Sequence, residues 1–215
     1  VTGSQDGGDD ARMEILRRVR SAIGTTDAAA PPIPRAYERS LRPGTDVIGL
    51  FAERVADYHA SVLRVPLARL AGAIAESLRR SGARRVVVPL GLPAAWVADA
   101  EVEQVFDQPQ LRHVDLDDVD AVVTGCAVAI AETGTIVLDA GPGQGRRALS
   151  LLPDHHLCVV IGSQIFGTVP EALEHLDPRR PQTWISGPSA TSDIELQRVE
   201  GVHGPRNLTV LIVED

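Results

Sequence analysis

The chain has 215 residues, a formal net charge of −8 and 44% apolar residues, only seven of them aromatic. All 21 basic residues are arginine, which excludes a Schiff-base lysine or a Walker-type phosphate lysine, and the acidic balance argues against binding nucleic acid through the overall field. No apolar run reaches the roughly 18 residues of a membrane span, and Cys126 and Cys158 stand in apolar surroundings with no signal-peptide-like start, so a cytoplasmic chain with reduced thiols is expected.

Residues 1–10, rich in Gly, Asp and Ser, predict a disordered leader. Over 11–23, Met13, Ile15, Leu16, Val19 and Ile23 alternate with arginines at helical spacing, and Pro31, Pro32, Pro34 and Pro43 then mark an extended linker to residue 44. The main domain is expected over 45–215. It opens with a helix over 46–59, a strand over 61–65 and a helix over 66–81 that has proline in its first turn and leads into Gly82. The segment 84–89 contains Val86, Val87 and Val88, continuously apolar as in a parallel strand covered on both faces. A helix is expected over 93–100, and a buried run begins at 118–123 and ends at Glu132. Strands over 135–138, 157–161, 182–186 and 207–213 alternate with helices over 146–152 and 170–176. This alternation predicts an α/β fold, a mostly parallel sheet flanked by helices, behind an N-terminal helical arm.

Chemistry concentrates in four segments. Glu132 ends the uncharged run from Ala121 and opens the turn Thr133-Gly134-Thr135; a carboxylate in that place is expected to be hydrogen-bonded, paired or protonated. The loop GPGQGRR, 141–147, lies between a strand and a helix, where backbone N–H groups can cradle an anion beside Arg146 and Arg147, although its glycine spacing is neither the dinucleotide nor the Walker pattern and a plain surface turn fits equally. The segment SGPSATSDIE, 186–195, offers Gly187, Ser189 and Asp193, residues that also serve ordinary helix capping. In GVHGP, 201–205, His203 between two glycines can titrate near neutrality. No metal signature is present, and two cysteines do not supply the four thiolates of an ordinary iron–sulfur cluster.

The order IAETGTIVL, then GRRALSLLPDHHLCVVI, then SGPSATSDIELQRVEGVHGP and a Val-rich terminal strand resembles the lactate utilization protein C family of LUD-domain proteins, from about Asp46 to Asp215. The resemblance implies a fold similar to the sugar-phosphate isomerase and CoA-transferase superfamily. It also implies a part in oxidising L-lactate to pyruvate beside iron–sulfur partner proteins, with no cofactor in this chain. In the CoA-transferases a catalytic glutamate sits in a Glu-Asn-Gly turn, and Glu132-Thr133-Gly134 looks similar, with Thr in place of Asn. Three functions stay open at this point: an accessory component of lactate oxidation, an acyl-transfer or thioester-processing enzyme with Glu132 as nucleophile, and a sensor that binds a small carboxylate near Arg146, Arg147 and Ser189. Because sites in parallel sheets gather at strand ends, the motif loops are expected to converge.

Overall fold

The computed structural model describes residues 6–24, 32–191, 199–200 and 204–214. The chain divides into an N-terminal unit, Val1–Tyr37, and a main unit, Glu38–Asp215. Helix α1, Asp6–Ile23, starts inside the segment expected to be an unstructured leader and carries Glu14 bonded to both Arg17 and Arg18. These i,i+3 and i,i+4 pairs supply local helix support.

The main unit is built on two sheets. Helix α2, Val47–Asp57, is capped by the Asp46 carboxylate, which accepts from the Gly49 N–H at 2.9 Å. Strand β1, Ser61–Pro66, is followed by α3, Leu70–Ser81, which ends at Gly82 in the left-handed conformation. Strands β2, Arg85–Val88, and β3, Glu103–Phe106, precede α4, His113–Asp117, and β4, Ala121–Thr124. Next come β5, Val128–Ile130, β6, Thr135–Leu138, and α5, Arg147–Leu151. The remainder comprises β7, His155–Ile161, β8, Ile165–Phe166, α6, Val169–Leu173, β9, Thr183–Ile185, the short antiparallel pair β10, Ala190–Thr191, and β11, Val199–Glu200, and finally β12, Asn207–Glu214.

The central sheet has the order β1-β12-β7-β4-β2-β3, and every pairing in it is parallel. Leu70, Ile74 and Leu78 of α3 pack on one face against Val86, Leu157 and Leu211. The other face, with Cys158, Val160, Val210 and Ile212, meets Phe51 and Val55 of α2 and Ala129, Ile136 and Leu138 of the second sheet. That second sheet, β8-β5-β6-β9, is mixed, and Ala172 of α6 closes its far side over Val128, Ile130 and Val137. The α/β fold with a mostly parallel sheet is thus present, and its strands read as apolar runs because both faces are covered.

Three local readings change. The segment 93–100 holds only a 3-10 turn, Ala94–Val97, in which Val97 is the buried anchor. Strand β3 was not apparent in the sequence because it is an edge strand, largely exposed, with no apolar run to announce it. The long buried run is not one element: β4 belongs to the central sheet, and β5 and β6 form an antiparallel hairpin of the second. Glu132 therefore sits at a hairpin tip.

Candidate functional site

The turn Ala131–Gly134 closes the β5–β6 hairpin through a bond from the Gly134 N–H to the Ala131 carbonyl (3.3 Å), and the Glu132 N–H donates to the Gly167 carbonyl (3.0 Å). The Glu132 side chain is exposed, contrary to its expected place at the end of a buried run, because the chain reverses there at the rim of the sheet. Gly134 has φ +58°, and a Cβ on it would lie 2.7 Å from the Arg54 backbone carbon. The turn is thus pressed directly on the last turn of α2. Behind it runs a line of hydroxyls: Thr133 Oγ1 to Thr135 Oγ1 at 2.7 Å, and Thr135 Oγ1 to Ser186 Oγ at 2.8 Å.

Ser186 belongs to the next motif. Gly187, at φ +85°, packs on α2's end too, where an added Cβ would meet Tyr58 Cβ at 2.4 Å. The Ser189 N–H donates to the Pro205 carbonyl at 2.9 Å, which ties this segment to the start of β12. These contacts build a cavity of about 280 Å³ whose wall includes Arg147, Ser150, Thr183, Ser186, Gly187 and Ser189, together with Gly204 and Pro205. Three of the sequence motifs meet directly at this cavity, and the fourth, Thr133-Gly134-Thr135, reaches it through the hydroxyl line. Arg147 is exposed and makes no ion pair among the described residues. Asp193 and His203 lie outside the described residues. Ser150 and Thr183 went unnoticed in the sequence; Ser150 stands one helical turn beyond Arg147 and donates to its carbonyl at 3.1 Å, a spacing that could have flagged it.

Arg146 faces elsewhere. Its guanidinium pairs with Asp107 at 2.8 and 3.1 Å and also donates to the Leu111 carbonyl at 2.7 Å. Burial works against the Asp107 charge, but the Arg146 hydrogen bonds and the Leu111 N–H outweigh it and hold its carboxyl below the ordinary value. Three donors of the glycine loop are turned inward. Its Gly143 N–H donates to Leu90, the Gln144 N–H to Gly141, and the Gly141 N–H to Asp139, so these donors are used within the protein. Gln144 returns the favour by accepting from the Asp139 N–H at 2.6 Å, and Arg180 pairs with Asp139 at 2.8 Å.

The thiols stand apart from the cavity. Cys126 and Cys158 are free and buried. The Cys126 thiol donates to Gln164 Oε1 at 3.6 Å and the Cys158 thiol to the Gly125 carbonyl at 3.7 Å; the neighbouring thiols perturb each other, so Cys126 is raised, with burial adding to the rise, and Cys158 is lowered despite burial. No group of three or more His, Cys, Asp or Glu side chains among the described residues is arranged to hold a metal ion. Among those residues, too, no helix is long and apolar enough to cross a membrane.

Comparison with known proteins gives the geometry its family. The LUD domain model matches residues 49–213, nearly the whole main unit. This chain belongs to the LUD-domain family. Lactate utilization protein C of Deinococcus radiodurans is 49% identical over 209 residues, 95% of this chain and 96% of that one. A protein of the same name from Halalkalibacterium halodurans is 28% identical and covers 94% of each chain. Among solved structures, a crystal structure of a DUF162 family protein from Deinococcus radiodurans matches with a TM-score of 0.67 at 47% identity, over 78% of this chain and 96% of that one. The motif cavity lies within the matched span.

Proposed function

We propose that this LUD-domain chain is the component without an iron–sulfur cluster of a cytoplasmic system that oxidises L-lactate to pyruvate, and that the cavity beside Arg147 holds the small carboxylate. The observation that carries the reading is the meeting of Arg147, Ser186 and Ser189 at one cavity in a chain whose relatives are named for lactate utilization. A guanidinium can take a carboxylate bidentately, and neighbouring hydroxyls suit the 2-hydroxyl or 2-oxo group of lactate or pyruvate. Removing two electrons from lactate requires an acceptor. With two cysteines, this chain leaves that task to iron–sulfur partner proteins. Thioester chemistry at Glu132 is less well supported, since the side chain is exposed at a hairpin tip and does not line this cavity. A nucleophile of that kind needs donors arranged around the reacting carbonyl.

The test is growth on L-lactate as sole carbon source of a strain lacking this gene and any other lactate dehydrogenase. The deletion is expected to abolish growth, the wild-type chain and Glu132→Gln to restore it, and Arg147→Ala to fail while accumulating normally. Unimpaired growth of the deletion strain would overturn the reading.

A further inference from the structure

A second, larger cavity lies on the other side of the 141–147 loop from Arg147 and has no part in the lactate reading. It measures about 890 Å³, within the range of about 300–1,000 Å³ typical of small-molecule sites and far more than a three-carbon acid needs. Its place follows from the strand order. From β2 the chain steps outward to β3 at the edge, then returns across β2 to β4 and continues inward through β7 and β12. The direction reverses between β2 and β4, and ligands of open parallel sheets bind outside the carboxyl ends of strands at such a reversal. Gly143 bridges the crevice, donating to the Leu90 carbonyl after β2 (2.8 Å) and accepting from the Gly125 N–H after β4 (2.9 Å). The cavity opens on the β3 side of this bridge.

Its walls are chemically divided. Val88, Leu90, Phe106 and Leu149 give apolar surface, and Leu90 and Phe106 remain 70% and 57% exposed at the rim, unusual for large apolar side chains at a strand end. Polar capacity is confined to Asp107, Gln108 and Arg146. Asp107 follows directly on β3, the strand beside β2, which is where dinucleotide-binding folds place the acid that takes a ribose hydroxyl. A carboxylate offers about four acceptor positions. Arg146 Nε, Arg146 Nη2 and the Leu111 N–H fill three, leaving one on Oδ2. The carboxylate is thereby charged, fixed in orientation and still able to accept one hydroxyl. The loop N–H groups of Gly141, Gly143 and Gln144 are already used and offer a phosphate nothing.

We infer that this cavity binds the nucleoside part of an adenosine-containing ligand, with the base against Phe106 and Leu90, a ribose hydroxyl donated to Asp107, and the phosphates, if present, directed to solvent. The site is separate from the Arg147 cavity, so either assignment can fail without the other.

Isothermal titration of the full chain with adenosine, AMP, NAD⁺ and ribose tests it. Adenosine, AMP and NAD⁺ are expected to bind saturably with similar affinity, and ribose not to bind. Phe106→Ala, at an exposed position that spares the core, is expected to weaken adenosine at least about tenfold through lost stacking, and Arg147→Ala to leave it unchanged. Absence of saturable binding by all three adenosine compounds would overturn the inference. So would adenosine affinity unchanged from the parent in both Phe106→Ala and Leu90→Ala, or a preference of more than about tenfold for AMP or NAD⁺ over adenosine, which would mean that phosphate is being read.

Discussion

Two neighbouring arginines divide the molecule into two kinds of cavity. Arg146 is turned into the wall of the large, mainly apolar cavity at the carboxyl ends of β2 and β3, with its charge matched by Asp107 and its remaining reach spent on a backbone carbonyl. Arg147, one residue on, lies along the small hydroxyl-lined cavity with its charge unmatched among the described residues. The contrast separates charge used for building from charge left for binding. A matched, partly buried pair orients its partners and resists removal, whereas an exposed guanidinium costs the fold little and keeps its affinity for an anion.

The largest expected effect lies under the small cavity. Gly187→Ala demands a positive φ from alanine and sets its Cβ 2.4 Å from Tyr58 Cβ, so about 3 kcal/mol or more of stability should be lost, read as a lower denaturant midpoint. A loss below about 1 kcal/mol would mean that the cavity floor is pliable and that the two regions differ less than the geometry says. Next in size is an acid effect at the opposite end of the sheet from the large cavity. His155, at the start of β7, has its pKa lowered to about 4 by burial and by His156. The unfolded chain takes up that proton near pH 6.5 and the folded chain only near 4, so stability is full above about pH 6.5 and falls as pH drops to 4, by at most about 3 kcal/mol. His155→Asn should flatten the profile of unfolding free energy over that window while leaving both cavities intact.

Arg146→Ala follows, expected to cost about 2 kcal/mol because it strands the Asp107 carboxylate in a wall where its side chain is only 14% exposed. Asp107→Asn should cost less, since the amide still accepts from the Leu111 N–H; a larger loss there would make the carboxylate rather than the arginine the organising group.

How much of this was legible follows the same physics. The central strands β2, β7 and β12 and the helices α2 and α3 declare themselves through local signals: unbroken apolar runs, 3.6-residue spacing, and Gly82 at the end of α3. The second sheet does not, because β4 and β5 are both buried on two faces and only a three-residue gap, Gly125 to Ala127, separates strands of different sheets. Burial was correctly read up to Ala131, and the hairpin reversal then turned Glu132 outward. In the small cavity Arg147, Gly187 and Ser189 stood in visible motifs, so their meeting could be expected. The large cavity was only half visible, since Arg146 and the glycine loop stood in a motif and the opposite wall did not. Phe106 ends an exposed edge strand and Asp107 follows it, and the partner of Asp107, Arg146, comes 39 residues later, a pairing fixed by strand order alone.

The smallest effect on stability should be the most telling for function. Arg147→Ala removes an exposed side chain that holds no ion pair among the described residues, so its unfolding free energy should lie within about 0.5 kcal/mol of the parent. If the cavity beside it holds a carboxylate, millimolar lactate or pyruvate should raise the melting temperature of the parent chain and leave the variant unmoved, because a ligand stabilises only the state that binds it. Arg146→Ala should give the reverse pattern, a lower starting temperature with the ligand-induced rise retained. Should both variants lose the rise, the cavities are coupled through the 141–147 loop and the division between building and binding charge fails. If the parent shows no rise at all, Arg147 has no small carboxylate to hold and the proposed site fails.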